Sequence, residues 1–245
     1  MLDPNFPVRL ISSGDRRTVE FIQFLFEAYS KRYLTEETDR CVAISGLEAR
    51  IARARECQSR YGTFEKFLHR SLLWQRSNGE KTQCIGYEPG VVPSWSWMAY
   101  SRGIQFMDIP FGEVDWNDKL RFNRGHKLVL FNIFKKRARH ALVTDIGVFQ
   151  NCSLEQRDIS YAVLNSSKAE RGQIWYDIEA NGNPHTERCV VVGRNSYEDE
   201  HCPRNKKYYI LVVRPTDVDG EYTRVGVGWI HSDYVVRQKL NVRVV

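Results

Sequence analysis

Pro93-Ser94-Trp95-Ser96-Trp97-Met98 sets two indoles two residues apart, at the junction between a helical first third and a strand-rich remainder. In extended backbone both rings leave one face, and Ser94 and Ser96 leave the other, where their small side chains admit a close neighbour. The stretch reads as a seam between two halves of the chain. Together with Trp74, its Trp95 and Trp97 rings are expected to pack a core and not to line a ligand slot.

Upstream of the seam, Ser12-Ser13-Gly14-Asp15 offers N-cap oxygens ahead of Val19, Ile22, Leu25, Phe26 and Tyr29. Their three-and-four spacing predicts a helix ending near Tyr33. Thr35 is placed to cap a second helix, with Glu36 and Glu37 in its first turn and Cys41, Ile44, Leu47, Ile51 and Ala54 along one face. Arg50, Arg53 and Arg55 fall late in it, as a solvated basic face. After Gly62, the residues Phe64, Phe67, Leu68, Leu72 and Trp74 predict a third helix, ended by a turn at Asn78-Gly79. Three helices with short connections point to a helical subdomain over residues 1–80.

Beyond Cys84 the pattern changes to short runs of Val, Ile, Tyr, Phe and Trp broken by Gly, Pro, Asn and Asp. Trp95 to Tyr100, a turn at Ser101-Arg102-Gly103 and Ile104 to Ile109 predict a hairpin. Further strands are predicted at Leu128 to Phe134, Ala141 to Val148, Tyr161 to Leu164, Gln173 to Ile178, Arg188 to Val192, Tyr208 to Arg214, Tyr222 to Ile230 and Val235 to Val244. A polar loop is predicted at Asn195 to Asn205. The expected fold class is α+β, with the helical subdomain packed on a C-terminal antiparallel β barrel or sandwich over residues 81–245. No linker separates the two parts, so one structural unit is expected.

With 42% hydrophobic and 12% aromatic residues among 245, the chain has material for a sizeable core, and disorder is excluded. Its 36 basic against 30 acidic side chains give a modest +6, but the excess is concentrated. Arg121, Arg124, Lys127, Lys135, Lys136, Arg137 and Arg139 fall in a stretch without Asp or Glu, interleaved with Phe122, Phe131 and Phe134. This is the candidate anion-binding stretch. It reads either as a nucleic-acid surface or as charges guarding the edge of a strand from Leu128 to Phe134.

Cys41, Cys57, Cys84, Cys152, Cys189 and Cys202 form no Cys-x-x-Cys pair, and no secretory signal opens the sequence. Reduced thiols and a cytoplasmic location are therefore expected, and no apolar run reaches the length of a membrane span. His185, Cys189, His201 and Cys202 match no common zinc spacing. Gly226-Val227-Gly228 has His231 where a dinucleotide fingerprint needs its third glycine, so those glycines more simply admit a neighbouring backbone. Neither a metal nor a cofactor is expected, and no motif assigns a catalytic residue.

Several of these stretches occur together in a known order. Tyr29 to Thr35, Thr38-Asp39-Arg40 and Ala43-Ile44-Ser45-Gly46-Leu47 are followed by Leu72-Leu73-Trp74 and by Pro93 to Tyr100. Glu221-Tyr222 and Arg224-Val225-Gly226-Val227-Gly228-Trp229-Ile230 come last. This ordered set resembles the fungal heterokaryon-incompatibility proteins, known as HET-domain proteins, from about Ser12 to Val245. The Ser-Tyr-x-Trp-Gly motif of the HET core has no counterpart here, so the resemblance implies the region downstream of that core and carries none of the core's activity. Trp74, Pro93, Ser94, Trp95, Ser96, Trp97, Gly226, Gly228 and Trp229 are its family-motif positions, read as structural.

The resemblance implies a non-enzymatic accessory or regulatory role in self/non-self recognition and cell death, with a protein partner or self-association. Two alternatives from other classes stand beside it: a basic nucleic-acid-binding module, and an uncharacterised hydrolase or metal-dependent enzyme.

Overall fold

The computed structural model describes residues 12–77, 82–88, 91–123, 140–178, 185–196 and 206–245. The first apolar stripe forms α1 (Gly14–Ser30), which buries Val19, Ile22 and Phe26. It stops at Ser30 and not near Tyr33, which is exposed. The stop has a tertiary cause, because the Ser30 hydroxyl donates back to Glu27 O and accepts from the Ile104 N–H. α2 (Arg40–Ala54) follows a 3₁₀ turn over Glu37–Asp39, so Asp39 and not Thr35 occupies the N-cap, without a side-chain capping bond. Arg55 leaves the expected basic face. It pairs with Asp15 and lies over the Phe67 ring, while Arg53 stays exposed.

The predicted third helix is largely replaced. Gly62, at φ +74°, turns β1 (Ser59–Arg60) into β2 (Thr63–Phe64), a 3₁₀ turn spans Glu65–Phe67, and α3 (Leu68–Leu72) is a short remnant. The apolar residues are buried as their spacing demands, but Trp74 belongs to a strand, β3 (Trp74–Arg76). A second correction concerns the seam itself. β3 pairs with β4 (Ile104–Phe106), and so the hairpin expected between Trp95 and Ile109 does not form. Trp97–Ala99 is instead a 3₁₀ turn whose N-cap, Ser96, accepts from the Met98 N–H at 3.0 Å.

Short strands β5 (Val114–Trp116) and β6 (Arg121–Phe122) lead into β7 (Leu142–Phe149), β8 (Ser153–Gln156), β9 (Tyr161–Leu164) and β10 (Glu170–Tyr176). β11 (Arg188–Asn195), β12 (Lys207–Pro215), β13 (Glu221–His231) and β14 (Val235–Val244) complete the set. Together they make a 10-stranded sheet among the described residues, ordered β12-β11-β7-β14-β13-β10-β9-β8, with β5 beside β11 and β6 beside β7. β12 also pairs with β13, so the pairing path through β11, β7 and β14 returns to its start. The sheet is mixed where a purely antiparallel one was expected. β14 runs along β7, and its end swings back to meet the start of β13 in parallel, Glu221 opposite Arg243 and Tyr222 opposite Val244.

β11 and β12 are buried on both faces, which is why Cys189-Val190-Val191-Val192 and Ile210-Leu211-Val212-Val213 read as continuous apolar runs. Val190, Val192, Leu211 and Val213 join Leu72, Trp95, Phe122 and Val227 in one core. Cys189, Val191, Ile210 and Val212 join Ile174, Ile230 and Val235 in another. A third core holds the helices, with Phe26, Ile51, Phe64, Trp74 and Trp97. In β14 the expected inward row of Leu240, Val242 and Val244 is only partly realised. A register break between Gln238 and Val242 turns Leu240 out to 52% exposure while Val242 and Val244 stay buried.

β5, β6 and β8 are too short, or too polar, to show an alternating pattern in the sequence. The predicted strand from Leu128 to Phe134, the Asn78-Gly79 turn and most of the Asn195–Asn205 loop lie outside the described residues. Among the described residues no helix is long and apolar enough to cross a membrane.

Gly226 and Gly228 lie against β10, where a Cβ on Gly226 would come 2.7 Å from the Trp175 carbonyl oxygen and one on Gly228 closer still to that of Gln173. Backbone cannot yield there as a flexible side chain would. Gly228→Ala is therefore expected to cost about 1 to 3 kcal/mol of stability. A melting temperature equal to that of the unmodified chain would show that the two strands can part without penalty.

Candidate functional site: the seam and its flanking cavities

The Trp-rich stretch lies between the cores, and its two indoles enter different ones. Trp95 packs with Leu72, Phe122 and Val227, and Trp97 with Phe26, Phe64 and Trp74. Extended backbone would have sent both rings the same way. A turn at Ser94-Trp95, followed by the 3₁₀ turn, rotates them apart. The polar atoms of the stretch hold its surroundings together. Trp95 Nε1 donates to His140 O at 3.1 Å, Trp74 Nε1 to Trp95 O at 3.1 Å, and Ser96 Oγ to Tyr61 O at 2.8 Å. Ser94 binds Val245 O through both its N–H and its hydroxyl, which in turn accepts from the Arg224 N–H.

Arg224 is the centre of this interlock. Its guanidinium is fully buried and forms a two-pronged pair with Asp177, Nε to Oδ2 at 2.9 Å and Nη2 to Oδ1 at 3.0 Å. Two further donors, on Nη1 and Nη2, reach Leu72 O at 2.6 Å and Trp74 O at 2.5 Å, and Cζ lies 3.4 Å from the centre of the Trp74 ring. One side chain of β13 thereby satisfies the carbonyls at the point where α3 gives way to β3. Burying a charge this completely is tolerable only with such extensive pairing. Sequence reasoning quoted Arg224 within a motif but gave it no role, and it missed Asp177. No local signal could have found that role, because the register shift between Val212 and Val213 sets Arg224 opposite Val213, out of step with Gly226 and Gly228, which oppose Val212 and Ile210.

A second buried acid, Glu187, accepts from the Tyr176 hydroxyl at 2.5 Å and from Arg214 at 2.8 Å, and burial together with this hydrogen bond pushes the Tyr176 phenol far up. Trp229, partly buried at the edge of a core, has the Lys207 ammonium 4.5 Å above its ring. Burial pulls that lysine below its ordinary value. Of the candidate anion-binding residues, Arg121 is exposed on β6, opposite Val143. Arg124, Lys127, Lys135, Lys136, Arg137 and Arg139 lie outside the described residues.

His201 and Cys202 are also outside them, and Cys189 is a core residue whose thiol burial pushes up to about 12. Burial likewise raises Cys41, Cys57, Cys84 and Cys152, against the direction an attacking thiolate needs. Among the described residues no three His, Cys, Asp or Glu side chains gather as metal ligands would.

Cavities flank the seam on both sides. One of about 210 Å³ lies along Pro93, Ser94, Tyr87 and Tyr100. The other, about 490 Å³, opens between α2 and the β1–β2 turn, with Glu48 among its lining residues; His140 borders both. Glu48 was not singled out from the sequence, where it reads as one more helix-surface acid. It is in fact buried, accepting from the Gly62 N–H at 3.1 Å and hydrogen-bonded by Ser59.

Desolvation raises the Glu48 carboxyl above its ordinary value despite these bonds. The folded chain thus takes up this proton at a higher pH than the unfolded chain does, so its contribution to stability is full in acid and is lost as pH rises through the raised value. Glu48→Gln keeps an acceptor for Gly62 and never ionises. The variant is expected to melt above the unmodified chain at neutral pH, with the gap closing in acid. Melting curves that stay parallel across that range would contradict the assignment.

No family model, no curated protein and no solved structure matches this chain.

Proposed function

We propose that the chain is a non-enzymatic accessory and regulatory region of a heterokaryon-incompatibility-type protein, acting in the cytoplasm through a protein partner or self-association. Its role would lie in fungal self/non-self recognition and the cell-death response. The observation that supports this reading most is the convergence of the motif positions. Trp74, Ser94 and Trp95 meet Arg224, a residue of the late motif, around one buried interlock. A motif set that fastens a scaffold is what a recognition region needs. The ring of pairings from β12 through β11, β7 and β14 to β13 favours a barrel over a sandwich for the β part.

The reading is tested by fusing the chain behind a HET core in fungal cells. Cell death triggered by the fusion is expected to differ from that triggered by the core alone and by the core carrying an unrelated domain of equal size. Identical output from all three would refute a regulatory role. Tight binding to duplex or single-stranded nucleic acid, weakening steeply with salt, would replace this reading with the basic-module alternative.

A further inference from the structure

The open cavity between α2 and the β1–β2 turn has a volume of about 490 Å³, within the range of small-molecule sites. Its walls are mostly apolar or aromatic, with Val42 and Ala49 at the exposed rim and Tyr61 and Met98 deeper. Into this space the helix brings Glu48, only 8% exposed. Among the described residues its hydrogen-bond partners are Gly62 and Ser59, and no cation pairs with it. A carboxylate offers about four acceptor positions, so roughly half remain unused.

Arg60, the arginine that lines the cavity, is otherwise engaged. It donates to Asn123 O at 3.1 Å and lies 4.9 Å over the Phe122 ring. A buried acid with spare acceptors and, among the described residues, no counter-charge, at an apolar hollow, is an unfinished ion pair.

We propose that this cavity binds a small amphipathic cation, its ammonium or guanidinium seated on Glu48 and its apolar body lying along Val42, Tyr61 and Met98. The site is independent of the regulatory role proposed above. A purely structural Glu48, bracing the Gly62 turn, is the competing explanation. The two separate cleanly, because a neutral amide in the Glu48→Gln variant would brace the turn as well but would not attract a cation.

The probes are phenethylamine and its uncharged counterpart 2-phenylethanol, titrated calorimetrically into the full chain. Phenethylamine is expected to saturate at one equivalent, with the alcohol at least about tenfold weaker. Glu48→Gln should bring the amine down to the level of the alcohol. Ala49→Trp, at an exposed rim position, should block both ligands while leaving the melting temperature unchanged. The proposal is overturned if phenethylamine does not saturate, if amine and alcohol bind the unmodified chain alike, if Glu48→Gln keeps the preference for the amine, or if Ala49→Trp leaves binding intact.

Discussion

Replacing Arg224 by Met is expected to destabilise the protein by about 3 to 5 kcal/mol, a large part of the stability of a typical domain. The substitution strands the Asp177 carboxylate, which is 1% exposed, without its counter-ion. It also takes donors from the Leu72 and Trp74 carbonyls and lifts the cation from the Trp74 ring. Asp177→Leu alone should do comparable harm, by leaving the guanidinium unpaired.

The double variant Arg224→Met, Asp177→Leu should recover much of the loss, since an apolar pair of similar volume avoids burying either charge. It will not recover all of it, because the carbonyls of Leu72 and Trp74 stay without a donor. Denaturant unfolding of the four proteins measures the coupling. If the single variants lose no more than an exposed substitution does, about 0.5 kcal/mol, the interlock is not what holds the helical third on the sheet.

Trp95→Ala and Trp97→Ala should each cost about 3 to 5 kcal/mol, yet loosen different parts of the molecule. Both rings are fully buried. Loss of Trp95 opens the core that includes Leu142 and Leu211, so amide exchange should quicken first in β7 and β12. Loss of Trp97 removes a ring 5.2 Å from Phe26 and 6.1 Å from Tyr29, and exchange should quicken first in α1 and α2.

Phenylalanine at the two sites sharpens the contrast. Trp95→Phe deprives His140 O of its donor, whereas Trp97 Nε1 has no hydrogen-bond partner to lose among the described residues. The former should therefore be the more damaging. Equal exchange profiles for the two alanine variants would mean that the cores do not open separately.

Helix α1 and the strands β9 and β14 were legible from the chain because apolar spacing and turn residues are local properties. So was the change from helical to strand character after the first third. The burial of Phe64, Phe67, Leu68 and Leu72 was legible too, even though their backbone was not. A stripe that satisfies helical spacing can equally be buried by a tight turn, a 3₁₀ turn and one helical turn in succession. Which of these forms is decided by the positive φ at Gly62 and by the pairing of Trp74 with Phe106, far along the chain.

The seam shows the same division of labour. Its residues alone announced that two large rings must be buried at the junction of two structural regimes. That the rings part, one to each core, follows from Ser96 capping a turn and from acceptors supplied by Tyr61 and His140. The mixed character of the sheet, the outward turn of Leu240, the burial of Glu48 and the Arg224–Asp177 pair have a common origin. Each depends on where distant backbone comes to rest, and solvent exclusion by those remote segments, unlike hydrophobic period, leaves no mark in the neighbouring residues.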